Sequence, residues 1–151
     1  MNGVTDHSAG KILVVDDNLV VLKALSLALQ SKGYEVISAI DGPEAFSIAR
    51  LEKLDLILLD IFFPPDVAQS GNTWDGFLIM DWFRHIGVNN IPIVIISGAE
   101  PVKFRERCLA AGAVEFLAKP VNIPVLLHTI QKILGRNPNK AKPEPAVDFV
   151  L

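Results

Sequence analysis

The stretch Lys11-Ile12-Leu13-Val14-Val15-Asp16-Asp17 decides the fold, because a short strand-forming run passes directly into two carboxylates. Its residues are apolar at consecutive positions rather than alternate ones. Such a run suits a central strand of a parallel sheet with helices covering both faces. The pattern returns at Asp55–Asp60, where Leu56-Ile57-Leu58-Leu59 again ends on an acid. Further strands are predicted over Tyr34–Ile40, Ile91–Ser97 and Val114–Leu117. The intervening segments have helical spacing. Leu19, Leu22, Leu25 and Leu29 follow Asn18 as N-cap and stop before Gly33, while Pro43–Lys53 opens on a first-turn proline. Phe77, Met80 and Phe83 or Trp82 give a third stripe, a fourth helix runs from Pro101 to near Gly112, and a fifth from near Pro124 to Gly135. Alternating strands and helices predict an α/β fold of five strand–helix units built around a parallel five-stranded sheet.

Composition narrows the class. The 151 residues match one domain, and a chain 50% hydrophobic and 21% charged is too apolar for disorder and too charged for a membrane protein. A net charge of -3 lacks the basic excess that favours a phosphate backbone, so no direct nucleic-acid partner is expected. No run approaches the ~18 apolar residues of a spanning helix, and Met1–Gly10 lacks a basic region leading into an apolar one. The lone Cys108 excludes an intramolecular disulfide and a multi-thiolate site; together these features predict a cytoplasmic protein with no membrane contact. The expected organisation is a disordered segment over 1–10, one domain over 11–135, and a Pro-rich tail or linker over 136–151. Within that tail Val147–Leu151 regains apolar character, as a docking segment or the start of a further part would.

Ligands of open α/β sheets bind beyond the carboxyl ends of the strands, near the point where the winding reverses. Those ends are acidic here: Asp16 and Asp17 after the first strand, Asp60 on the third. If the first and third strands are neighbours, as in the order 2-1-3-4-5, three carboxylates converge and repel unless a cation or protons relieve them. A hard divalent ion, Mg²⁺ or Mn²⁺, prefers such oxygens and would draw in a phosphate. Ser97 ends the fourth strand and Lys119 follows the fifth, bringing a hydroxyl and an ammonium to the same edge. A phosphoryl group on one carboxylate would then meet a metal, a hydroxyl donor and a positive charge.

These residues resemble the response-regulator receiver domain of two-component signalling. The likeness covers about Lys11 to Gly135 and rests on Asp16-Asp17, Asp60 with Pro64, Asp75-Gly76, Ser97-Gly98, Gly112-Ala113, Phe116 and Lys119-Pro120 in order along the chain. It implies a doubly wound, flavodoxin-like three-layer sandwich with a parallel five-stranded sheet of order 2-1-3-4-5, in which Asp60 takes a phosphoryl group from a phosphohistidine of a sensor histidine kinase or phosphotransfer protein. Asp17 would be a direct metal ligand, Asp16 one acting mainly through water, and the backbone carbonyl of Phe62 the third protein oxygen beside Asp60. The resemblance further implies that Ser97 hydrogen-bonds the phosphoryl, that Lys119 pairs with it, and that the Lys119–Pro120 bond is cis. Phe116 takes the switch position, its rotamer coupled to Ser97, so that the face of the fourth helix, fifth strand and fifth helix changes shape for a downstream protein target or a homodimer. The chain would be a bacterial signalling switch rather than an enzyme, its own chemistry limited to phosphotransfer and loss of the phosphoryl group. The alternative is a receiver fragment of a longer regulator whose output domain is missing.

Two departures stand out. The loop over Pro65–Trp74 is longer than the family's usual one, which suits a partial cover over the pocket, a restriction on which kinase can dock, or a tolerated surface insertion. Phe62 and Ala99 offer no acid, amide or base to orient water, which predicts slow loss of the phosphoryl group. A phosphatase of the haloacid dehalogenase type would need a second Asp at position 62, and a flavin binder would need a Ser/Thr/Gly-rich loop in place of Asp16-Asp17. His7, His85 and His128 have no metal spacing.

Overall fold

The computed structural model describes residues 8–60, 76–87, 90–98 and 101–135. Five strands alternate with five helices: β1 (Lys11–Val15), α1 (Leu19–Gln30), β2 (Glu35–Ala39), α2 (Gly42–Leu51), β3 (Leu56–Asp60), α3 (Gly76–His85), β4 (Ile93–Ser97), α4 (Pro101–Ala110), β5 (Glu115–Ala118) and α5 (Ile123–Gly135). All strand pairs are parallel, in the order β2-β1-β3-β4-β5. The alternation of apolar runs predicts the five strand–helix units, and the strand order is the one the family resemblance implies.

Strand side chains alternate between the two faces, and each face has its own core. Leu13, Val15, Ile57, Leu59, Ile93 and Ile95 point one way, where Ala45, Ala49, Met80, Phe83 and Cys108 of α2, α3 and α4 cover them. Ile12, Val14, Leu56, Leu58, Val94 and Ile96 point the other way, against Leu22, Leu25 and Leu29 of α1 and Leu126, Ile130 and Leu134 of α5. This two-sided burial is why the central strands lack polar alternation.

Local chemistry sets the element ends. The Asn18 side chain accepts from the Val20 and Val21 N–H groups at 2.9 and 3.2 Å, capping α1 as expected. Helix α2 starts at Gly42 instead of Pro43, because Asp41 caps it by accepting from Glu44 N–H at 2.9 Å. Helix α5 likewise starts before Pro124: Asn122 caps it by accepting from Val125 N–H at 3.0 Å. The fourth strand opens at Ile93 rather than Ile91, with Pro92 unable to donate to a neighbour. Strand β5 is displaced by one residue from the predicted Val114–Leu117, and the second strand is one residue shorter at each end.

Below the sheet, away from its carboxyl edge, Asp55 fixes the start of the β1–β3 pairing. Its carboxylate accepts from Lys11 N–H at 2.7 Å, while its own N–H donates to the Lys11 carbonyl at 2.8 Å. The Lys11 ammonium also reaches Glu52 at 2.9 Å and Glu35 at 3.6 Å. Asp55→Ala would orphan the Lys11 N–H, and should lower the unfolding free energy in urea by about 1–3 kcal/mol. An unchanged midpoint and slope would show that the contact contributes nothing.

Candidate functional site

Parallel strands bring their carboxyl ends to one edge, and β1 lies between β2 and β3, so the winding reverses beside it. The register places Val15 opposite Leu59, which makes Asp16 and Asp60 neighbours across the β1–β3 boundary. Asp60 is itself paired with Ile96, one residue before Ser97. Ser97 pairs with Ala118, and the Lys119 N–H donates to the Ser97 carbonyl at 2.9 Å. Four separated sequence positions thereby meet at one edge.

Oxygens of Asp16, Asp17 and Asp60 lie within 4.8 Å of one another. Asp16 and Asp60 are buried, at 1% and 5% exposure, whereas Asp17 faces solvent. Lys119 bridges the two buried acids: its ammonium is 3.0 Å from Asp60 Oδ1 and 3.2 Å from Asp16 Oδ2. The other oxygen of Asp16 accepts from Asn18 N–H at 2.8 Å, so the capping turn of α1 also orients the site. The Lys119–Pro120 bond is cis.

Burial pushes the Asp60 carboxyl up to about 6; the hydrogen bond from Lys119 opposes this, and the charges of Asp16 and Asp17 add to it. Burial acts against the Lys119 ammonium, but the hydrogen bond and charge of Asp60, then the charge of Asp16, outweigh it and raise its pKa. The cluster therefore holds more negative charge than one lysine balances. An all-oxygen donor set of this kind fits a small divalent cation.

The structure brings Asp16, Asp17, Asp60, Ser97 and Lys119 to this one edge. Phe62, Ala99 and the loop 65–74, where the carbonyl ligand, the positions flanking the acceptor and the cover are expected, lie outside the described residues. Phe116 is 3% exposed and belongs to the core beneath α4, beside Cys108 and Ile95. Sequence reasoning overlooked its neighbour Arg105, which reaches Glu115 at 3.2 Å and the Phe116 carbonyl at 3.4 Å, tying α4 to β5. It also overlooked Lys119 as the partner of Asp16. A sequence separation of 103 residues leaves no local signal for that pair.

Residues 12–131 match the family model described as the response regulator receiver domain. The chain is 32% identical over 137 residues to the transcriptional regulatory protein PrrA of Mycobacterium tuberculosis, covering 91% of this chain and 55% of that protein. It is 31% identical over 141 residues to the response regulator MprA of Mycobacterium sp., covering 93% of this chain and 57% of that one. The chain thus spans about half the length of the curated relatives it matches. Among solved structures, a CheY-like receiver domain protein from Methanospirillum hungatei superposes with a TM-score of 0.69 at 26% identity, covering 82% of this chain and 92% of that chain. The chemotaxis protein CheY4 of Vibrio cholerae gives the same TM-score, 0.69, at 30% identity, over 82% of this chain and 97% of its own. Strand order, the acidic edge and the sequence match agree: the chain belongs to the response regulator receiver domain family.

Proposed function

We propose that the chain is a phosphorylation-activated switch whose acceptor is Asp60. The observation that carries this reading is the buried carboxylate of Asp60, held 3.0 Å from Lys119 at the carboxyl edge of the sheet and beside Asp16 and Asp17. A carboxylate oxygen of Asp60 attacks the phosphorus of a phosphohistidine on a kinase or phosphotransfer protein. The P–O bond forms as the P–N bond breaks, and the imidazole leaves with the electron pair and takes up a proton. Lys119 then exchanges a carboxylate partner for a phosphoryl oxygen, and the Ser97 hydroxyl donates to another.

Asp16, Asp17, Asp60 and the Phe62 carbonyl would hold Mg²⁺ or Mn²⁺. When bound, the ion neutralises charge on the phosphoryl oxygens. Movement of Ser97 toward the phosphoryl alters the packing of Phe116 and hence the α4–β5–α5 face, where Leu109, Val114 and Val125 are exposed. That face would meet a downstream protein or a second copy. The domain proper spans 11–135, and its chemistry is acceptance and slow loss of a phosphoryl group rather than turnover of a substrate. A cytoplasmic setting fits, and among the described residues no helix is long and apolar enough to cross a membrane. The length of the relatives favours one second reading, in which these residues are the receiver part of a longer regulator and any nucleic-acid contact lies elsewhere.

The test is intact mass after incubation with acetyl phosphate and Mg²⁺: one phosphoryl group should be gained, and a native protein that gains none contradicts the proposal. The metal site has its own readout. Mg²⁺ at a hundred times its dissociation constant should stabilise the wild type by about 2.7 kcal/mol, seen as a higher melting temperature. Asp17→Asn removes one like charge, so the metal-free protein should melt no lower, while most of the Mg²⁺-dependent rise disappears. An equal rise in both proteins would place the ion elsewhere.

A further inference from the structure

Helix α1 carries one charged residue, Lys23. Leu22, Leu25 and Leu29 face the sheet, yet Leu19 is 67% exposed, Val20 78% and Leu27 55%. Val20, Lys23 and Leu27 are spaced three and four residues apart, so they line one outward stripe with an exposed cation between apolar groups. A surface helix ordinarily turns polar residues outward, and contiguous apolar exposure marks a surface that something covers.

The chain itself supplies a candidate cover. Beyond α5 come the polar, proline-punctuated residues Arg136–Pro145, then Val147-Asp148-Phe149-Val150-Leu151, which combine four apolar side chains with one acid. We propose that Val147–Leu151 docks along the outer face of α1, with Phe149 and its aliphatic neighbours over Val20 and Leu27 and the Asp148 carboxylate against the Lys23 ammonium.

Reach, length and charge support this occupant. Helices α1 and α5 pack side by side on the same sheet face, and both follow parallel strands, so Gly135 lies toward the Gln30 end of α1. At about 3.1 Å per residue, residues 136–146 can extend about 34 Å, against about 18 Å for the whole of α1. An extended Val147–Leu151 spans about 13 Å, close to the ~10 Å between Val20 and Leu27 on the helix. The stripe bears one cation and the segment one anion. Tethering makes the contact intramolecular, at an effective concentration of order mM, so a weak contact suffices. The docked segment would border the carboxylate edge, because α1 begins two residues after Asp17.

The test uses the full chain and no phosphorylation, so it can fail without touching the receiver reading. Cys108 is fully buried, which allows a nitroxide to be attached through Leu151→Cys. The amide signals of Leu19–Leu27 should lose most of their intensity relative to the reduced label, while those of Glu44, Ser47 and Leu51 on α2 keep theirs. Lys23→Glu should cut the bound fraction about 2–5-fold, the worth of an exposed ion pair, and adding Asp148→Lys should restore it. Phe149→Asp should abolish the effect. Loss spread evenly over both faces would overturn the proposal. So would equal loss in an isotope-labelled chain without nitroxide mixed with the spin-labelled one, since the occupant would then be a second copy.

Discussion

Asp60→Asn should gain no phosphoryl group from acetyl phosphate and Mg²⁺ under conditions in which the wild type gains one. The amide keeps the shape of the side chain but cannot attack phosphorus to make an acyl phosphate. Equal mass gain in the variant and the wild type would place the acceptor elsewhere and remove the assignment. The same substitution has a second consequence, on stability. In the metal-free fold burial raises the Asp60 carboxyl from 3.8 to about 6, so between those pH values the native state binds a proton that the unfolded chain has released. Stability attributable to this group therefore falls as pH rises through that window, and above about pH 6 its charge costs the fold about 3 kcal/mol. Without metal, Asp60→Asn should be more stable than wild type at neutral pH, with the difference shrinking toward pH 4. Urea titrations at several pH values measure it; a pH-independent difference would mean that burial of this carboxylate is not the cause.

Phe83→Ala should be the most damaging change away from the carboxylates. Phe83 is 0% exposed and sits among Met80, Ile57, Ile93 and Cys108, where α3 seals one face of the sheet. Removing the ring loses its transfer free energy and leaves a cavity that the strands cannot close, for a cost of about 3–5 kcal/mol. In a domain of this size that lowers the melting temperature by roughly 6–20 °C. Leu51→Ala offers the contrast: Leu51 is 83% exposed, and its loss should stay within about 0.5 kcal/mol. Similar losses in the two variants would contradict the packing described for α3.

The strands were legible because burial on both faces demands consecutive apolar residues, as in Leu56–Leu59, and that demand is local. The ends were less legible. Prolines at 43 and 124 marked the first turns, but the caps are Asp41 and Asn122, two residues before them, which accept from the Glu44 and Val125 N–H groups. At Phe116 the resemblance implied a switch role; the structure shows a core residue, 3% exposed, and leaves the switch role to the proposed chemistry. Arg105 was invisible as a brace because an exposed arginine on a polar helix resembles any other until β5 is placed beside it.

By itself, the chain's order of residues determined five strand–helix units and put an acid or polar group after the strands that form the site, since hydrophobic patterning and capping act over a few residues at a time. Only the tertiary structure decided which strands are neighbours, and with that the meeting of Asp16, Asp17 and Asp60 and the placing of one ammonium between two buried carboxylates. The reason is physical: Coulomb interaction and burial depend on distance through space, and positions 16, 60 and 119 come within reach only when the sheet has closed.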